Sequence, residues 1–376
     1  MRLFDTKRGE IVPFEPVVEP GTTVSLYSCG ITPYDAAHLG HAAVYTTFDL
    51  LQRRLIDMGQ DVRSVRNVTD VDDDILRKAR ELGVHYLDLA AEEMARFDSD
   101  MAALDLLPVS SEPRATSAIP DILSLIGDVL ETGNAYEAGG AVYFDIATYP
   151  GFGELSGLSR PEMLLLAAER GGNPDDPHKR DPLDFVLWQP SAADEPAWQS
   201  RWGPGRPGWH IECSALAMRE LGPTVDLHGG GSDLVFPHHE CERAQSESVT
   251  GVTFARHWLH VGMVGLHGKK MSKSLGNLVF VGDLLDEWEP EAIRLLLLSH
   301  HYREDWDFDA GELEKATVRL DRWRSAAKRS GDGSLVAVRS RLDDDLNAPG
   351  ALEELDERAD MGSDVSAGAA LLGVTL

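Results

Sequence analysis

The chain has 376 residues, 43% of them hydrophobic, with 63 acidic against 35 basic side chains and a formal net charge of −28. That length allows two or three domains and a sizeable core; the acidic excess opposes a nucleic-acid partner, whose phosphates need Lys and Arg, so a small-molecule ligand is expected on a highly soluble surface. No run reaches the ~20 apolar residues that span a bilayer, the start MRLFDTKRGE is no signal peptide and three cysteines make no disulfide framework, so a cytoplasmic protein with reduced thiols and no membrane partner is expected.

Residues 22–30, TTVSLYSCG, read as a buried strand ending in a glycine turn. Residues 41–59 carry apolar side chains at helical spacing, with Gly59 as the stop. Residues 61–74 give a second strand that runs into an acidic turn, and ILRKARELG continues as a helix. Strand, helix, strand predicts a βαβ unit and a parallel sheet. Residues 85–190 read as mainly helical, with one strand pattern at 139–146 and a loop dense in Gly, Pro and Asp at 169–182. Strand-turn-helix patterning resumes at 206–221 and again at 224–248, and 256–266 adds a strand. From about Pro290 the chain reads as helices.

The fold expected is α/β: a Rossmann-type, doubly wound parallel sheet with an inserted, mainly helical domain and a short C-terminal helical bundle. The expected division is 1–85 for the first half of the catalytic domain, 86–190 for the insertion, 191–300 for the second half and 301–376 for the C-terminal helices.

Two short patterns carry chemistry. His38-Leu39-Gly40-His41 stands where a strand hands over to a helix. A helix N-terminus offers free N–H groups to a phosphate, Gly40 lets a nucleotide approach the backbone, and two histidines can bond phosphate oxygens as charge grows. A four-residue pattern alone also fits a helix cap or core packing. The second pattern is KKMSKSLGN at 269–277, where Lys269, Lys270 and Lys273 fall within five residues of an acidic chain. Such a loop can cover a triphosphate and stabilise departing pyrophosphate, although it also fits a solvated basic turn.

Together these patterns resemble the signatures of the class I aminoacyl-tRNA synthetases, with Leu39 replacing the usual isoleucine of the tetrad. The cysteine-activating branch is the most similar, through CGITPYD before the tetrad, NVTDVDD at 67–73, GRPGWHIECSA at 205–215 and HGGGSDLVFPHHE at 228–240. The resemblance covers roughly residues 1–310. It implies catalytic roles for His38, His41, Lys270 and Lys273, and ATP binding by Gly40, Gly229, Gly230, Gly231, Lys270 and Lys273, with Mg²⁺ accompanying the ATP. It places the substrate cysteine against Thr69, Trp209 and Asp233.

The cysteines gain meaning in the same way. By spacing, His238 and Glu242 share one helix face, while Cys29 and Cys213 each end a predicted strand and fit core filler as well as ligands. The resemblance implies one Zn²⁺ held by Cys29, Cys213, His238 and Glu242. Zinc has a physical purpose there: serine and cysteine differ by one atom, a metal that favours sulfur separates them, and a hydrophobic pocket does so poorly. Cys241 is expected to point off the ligand face.

The acceptor of the activated cysteine is the remaining fork. A cysteinyl-tRNA synthetase continues into an anticodon-reading module, and the stretch after Ala310 has room for little beyond a short bundle. CGITPYDAAHLGHA, AERGGNPDDP and SHHYREDW, with Pro33 where the synthetases usually carry valine, resemble the cysteine ligases of mycothiol biosynthesis. Those ligases join cysteine to the amine of glucosaminyl-inositol. They often lack a carboxylate at the position of Glu242, which is therefore either a fourth zinc ligand or an outer partner. A C-terminally truncated cysteinyl-tRNA synthetase is the alternative, and a monomer or weak homodimer is expected.

Overall fold

The computed structural model describes residues 1–14, 23–271, 276–327 and 334–376. Its centre is a four-stranded sheet in the order Trp258–Val261, Leu227–Gly231, Thr23–Ile31, Asp61–Val68, with every pair parallel. Thr23–Ile31 is rich in Val, Leu, Tyr and Ile and largely buried, as an interior parallel strand must be. The chain passes from this strand to Asp61–Val68 on one side, then returns to Leu227–Gly231 on the other. That reversal opens a crevice at the carboxyl ends of the strands, where open α/β sheets bind ligands.

The register between Thr23–Ile31 and Asp61–Val68 breaks between Ser28 and Ile31. Gly30 sits in that break, and a Cβ there would lie 1.4 Å from the Asn67 carbonyl oxygen. An irregularity of this kind re-aims side chains, and here it falls on Cys29. The helix Leu39–Asp57 follows, two residues earlier than its apolar spacing suggests because His38 caps it. Asp72 caps Asp73–Leu82 by accepting the amides of Asp74 and Ile75, and Gly83 ends it at φ 68°.

The insertion holds more β-structure than expected. Its helices Tyr86–Ala103, Ile119–Glu131 and Arg160–Glu169 accompany an antiparallel sheet of Ala135–Ala138, Ala141–Phe144, Phe185–Pro190 and Gly205–Pro207. The single predicted strand at 139–146 is one arm of a hairpin whose turn, Gly139-Gly140, has φ of 60° and 83°. Residues 205–207, read as the return to the central sheet, pair with the insertion instead (Trp188 with Pro207). The helix Trp209–Leu221 then carries the chain back to the crevice.

The stretch 256–266 also divides. Trp258–Val261 joins the central sheet, whereas Val264–Leu266 belongs to a small sheet with Lys269–Lys270 and Trp306–Asp307. A hairpin of Arg2–Asp5 and Glu10–Pro13, absent from the sequence reading, precedes the first sheet strand. The expected helices follow as Pro290–Leu298, Ala310–Ala326, Ser334–Leu342, Ala348–Asp360 and Ser366–Leu371. Among the described residues, no helix is long and apolar enough to cross a membrane.

Candidate active site

Cys29, Cys213, His238 and Glu242 meet in the crevice, all buried, with one ligating atom from each within 4.8 Å of the others. Three different elements deliver them. Cys29 comes from the irregular end of Thr23–Ile31, Cys213 from the second turn of Trp209–Leu221, and Glu242 from the start of Glu240–Thr250. His238 sits just before that last helix and reaches Glu242 Oε1 with Nε2 at 3.1 Å, the predicted four-residue relation. Cys29 Sγ lies 3.3 Å from Glu242 Oε1, and His238 Nε2 lies 3.3 Å from Cys213 Sγ.

A tetrahedral ion with bonds of about 2.0–2.3 Å separates its ligands by roughly 3.3–3.8 Å, so the cluster has the size zinc needs. Its donor set of two sulfurs, a nitrogen and an oxygen suits zinc and not the hard, oxygen-seeking cations. Burial, together with Cys213 and Glu242 nearby, pushes the Cys29 thiol well above its ordinary range. Burial likewise holds His238 well down as a neutral imidazole. A bound dication would reverse the cost of ionising the thiols.

A surrounding shell fixes these donors. Asn67 accepts the Gly30 amide with Oδ1 at 2.9 Å and donates through Nδ2 to Cys213 Sγ at 3.2 Å, so one side chain locks both cysteine-bearing segments. The Tyr45 hydroxyl donates to the Cys29 carbonyl at 3.2 Å. His238 Nδ1 meets His210 Nδ1 at 2.9 Å; with His238 Nε2 turned to the cluster as a lone pair, Nδ1 carries the proton and His210 accepts it. The Trp209 ring lies over His238, with centroids 4.0 Å apart.

Two residues that the sequence reading left out, His228 and His239, also reach the cluster. They form a second, overlapping set of potential ligands with Cys29 and Glu242. His239 Nε2 is 3.3 Å from Cys29 Sγ, and His228 Nε2 is 3.0 Å from Glu242 Oε2. The doublet His238-His239, four and three residues before Glu242, was the available signal. Cys241 is buried against the insertion's core and stands outside both sets, as expected.

Thr69 lies at the end of Asp61–Val68, beside the crevice. Its hydroxyl donates to the Ile31 carbonyl at 3.2 Å and lies 2.7 Å from the Thr32 hydroxyl, which donates to Asp72 Oδ2 at 2.7 Å. Desolvation pushes the Asp72 carboxyl up to about 6. Asp233 occupies the turn after Leu227–Gly231, and Arg170 of the insertion holds that turn through the carbonyls of Asp233 and Phe236.

His38 and His41 stack with centroids 3.8 Å apart at the start of Leu39–Asp57. His38 Nδ1 accepts the Gly40 amide at 3.1 Å, which places the ring proton on Nε2. A Cβ on Gly40 would come within 2.9 Å of that ring. The three glycines at 229–231 differ from one another. Gly229 is required by the sheet, since a Cβ there would lie 1.7 Å from the Leu259 carbonyl oxygen. A Cβ on Gly230 would meet Leu234 at 2.8 Å and Cys29 Cβ at 3.7 Å, while one on Gly231 would meet Asp233 Oδ1 at 2.6 Å. Lys270 is placed by its backbone, paired with Gly265; Lys273 lies outside the described residues.

The model of the tRNA synthetases class I (C) catalytic domain matches residues 15–318. A relative from Nocardiopsis dassonvillei is 50% identical over 96% of this chain and 89% of its own, and one from Streptosporangium roseum is 47% identical over 100% of this chain and 96% of its own. Both are named L-cysteine:1D-myo-inositol 2-amino-2-deoxy-alpha-D-glucopyranoside ligase. Among solved structures, methionyl-tRNA synthetase of Mycobacterium tuberculosis bound by methionyl-adenylate matches with a TM-score of 0.67 at 18% identity, over 94% of this chain and 88% of that one, a likeness of fold. The chain therefore belongs to the class I tRNA synthetase (C) catalytic-domain family.

Proposed function

We infer that the protein is an ATP-dependent ligase that activates L-cysteine as cysteinyl-adenylate and joins it to the amine of glucosaminyl-inositol in mycothiol biosynthesis, releasing AMP and pyrophosphate. The observation that carries this is similarity at about half identity, along the whole chain, to proteins named for that ligation. The relatives so named favour the ligase over a truncated cysteinyl-tRNA synthetase. A cytoplasmic location fits such a biosynthetic step.

In the first step the cysteine carboxylate attacks the α-phosphorus of Mg·ATP, and the bond to the pyrophosphate oxygen breaks. His38 donates from Nε2 to the phosphate oxygens, with His41 stacked beside it; the Lys270 and Lys273 ammonium groups offset charge on the departing pyrophosphate. Gly40, Gly230 and Gly231 keep side chains out of the nucleotide's path. Cys29, Cys213, His238 and Glu242 would hold the zinc, with His228 and His239 behind them. Zinc bound there would supply a sulfur-seeking Lewis acid for the substrate's side chain, a basis for discrimination against serine. Trp209 walls the side-chain pocket. Thr69 and Asp233 hold the amino-acid head, the carboxylate opposite the ammonium. In the second step the neutral acceptor amine attacks the carbonyl carbon, the C–N bond forms, AMP leaves with the C–O electron pair, and the surplus amine proton passes to water.

The test is an acceptor comparison. Protein, ATP and cysteine are incubated with glucosaminyl-inositol or with tRNA, and products are identified by mass. The amide is expected; cysteinylated tRNA with no amide would overturn the reading.

A further inference from the structure

Beside the tetrad lies a cleft of about 430 Å³, bounded by the turn after Thr23–Ile31, the helix Asp73–Leu82 and the segment 276–280. Resting on the ligase reading above, we propose that this cleft binds the acceptor, a polyhydroxylated amino sugar, and that Tyr34, Asp35, Arg77, Lys78, Glu81 and Phe280 form its recognition surface.

Position supports the assignment first. Phe280 pairs as an isolated antiparallel bridge with His38, and the flanking bonds run from the Leu39 amide to the Val279 carbonyl and from the Val281 amide to the Ala37 carbonyl, each 2.9 Å. Asp35 is three residues before His38 in the same turn. On the other side the Tyr34 amide donates to the Thr32 carbonyl at 2.9 Å, and the Thr32 hydroxyl touches both Thr69 and Asp72. The cleft thus adjoins the tetrad through the bridge of Phe280 with His38, and the turn that holds Thr69 through the bond of Tyr34 to Thr32.

Chemistry supports it second. The volume falls within the about 300–1,000 Å³ of small-molecule sites. The lining is mixed: two carboxylates, two cations and two aromatic rings. Arg77 is already engaged by Asp74 at 2.7 Å and stands 3.9 Å from Glu81. With its cations balanced by acids, the surface does not suit a triphosphate. It does suit a ligand of many hydroxyls and one amine. Carboxylates accept from hydroxyl and amine hydrogens, Lys78 and Arg77 donate to hydroxyl oxygens, and the Tyr34 and Phe280 rings offer apolar faces to sugar C–H groups.

Lys78→Ala and Glu81→Gln test the assignment on the full chain. Neither position is among Ile75, Leu76 and Ala79, the buried residues of that helix. Amide formation is measured against glucosaminyl-inositol concentration, and the ATP KM is read from cysteine-dependent ATP–pyrophosphate exchange, which needs no acceptor. Each substitution is expected to raise the acceptor KM at least fivefold, with the ATP KM moving less than twofold. An unchanged acceptor KM overturns the cleft assignment, and so does an ATP KM that rises in parallel, which would place the triphosphate there. Absence of amide from the unaltered protein overturns the ligase reading itself, a result distinct from either.

Discussion

Asn67 joins the two halves of the candidate metal centre: one amide holds the backbone at Gly30, next to Cys29, and the Cys213 sulfur. Its role differs from that of a ligand, and the difference is measurable. Cys29→Ser removes a donor from the cluster, so bound zinc, measured by elemental analysis after dialysis, is expected to fall to a small fraction of one per chain, and selectivity for cysteine over serine is expected to collapse. Asn67→Ala leaves all four donors in place but loosens two of them; its zinc affinity is expected to fall about 10–100-fold, the usual cost of losing such an outer partner. Unchanged zinc content in Cys29→Ser would refute its part in the site. Asp72 supplies a test by pH. Its carboxyl stands at about 6 in the fold against an ordinary value of 3.8. Between those values the folded state holds the extra proton, so stability from this group is lost as pH rises from about 4 to 6 and stays lost above that. A rise of this size corresponds to on the order of 2–3 kcal/mol. Asp72→Asn keeps an oxygen for the helix cap and removes the titration. On going from pH 7 to 4.5 the urea midpoint of the unaltered protein is expected to rise relative to that of Asp72→Asn; an equal change in the two would contradict this account.

Elements with long, regular patterns are legible in the sequence. The strand read at 22–30 is found at Thr23–Ile31, and the helix read at 41–59 at Leu39–Asp57. The βαβ logic also predicted the parallel pairing of Thr23–Ile31 with Asp61–Val68. Apart from the strand read at 139–146, the insertion's sheet was not legible, because its strands are three to six residues long and paired by tertiary context, and Gly205–Pro207 has no period at all. The site divides along the same line. His238 and Glu242 show their relation by spacing, but Cys29 and Glu242 are 213 residues apart, and only family resemblance joined them. His228 and Asn67 act through contacts that no local pattern encodes, whereas His239 stands three residues before Glu242 and was within reach of a spacing argument. The glycine run shows how structure separates residues that a motif lumps together. Gly229→Ala drives a methyl into the Leu259 carbonyl of the next strand, whereas the atom nearest a methyl at Gly231 is a side-chain oxygen of Asp233 and not backbone. Gly229→Ala is expected to lower unfolding stability by about 1–3 kcal/mol or more. Gly231→Ala is expected to leave stability within about 0.5 kcal/mol while weakening ATP binding in the exchange assay. Equal urea midpoints for the two variants would show that the strand yields more easily than its packing implies.

At the scale of the whole molecule, the C-terminal helices are part of the core that supports the crevice. One continuous apolar cluster runs from Leu3 through Leu39, Leu50 and Phe97 to Leu313, Trp323, Leu355 and Val374. Arg294 is its polar tie. Only 1% exposed, it donates to the Leu372 carbonyl at 2.7 Å, to the Leu104 carbonyl at 2.9 Å and to the Asp49 carboxylate. Those bonds connect the helix that begins at the His38 tetrad, the start of the insertion and the last turn of the chain. Asp49 has other partners in Arg53 at 2.8 Å and the Leu107 amide at 2.7 Å, so its charge is not stranded when Arg294 is lost. Breaking a buried pair costs about 3–5 kcal/mol, and Arg294→Met is expected near the lower end because methionine fills much of the space. Ending the chain at 309 does more: it removes Leu313, Leu320, Trp323, Leu352, Leu355 and Leu372 together, each buried, with about 2–5 kcal/mol at stake for each large side chain. The truncated chain is expected to show no cooperative urea transition and no pyrophosphate exchange, although it retains every residue assigned to the reaction. A shortened chain that still unfolds cooperatively and exchanges pyrophosphate would mean that the parallel sheet and its insertion are self-sufficient. The helices after 309 would then be an appendage with a task of their own, and the tie at Arg294 an anchor for them and not for the crevice.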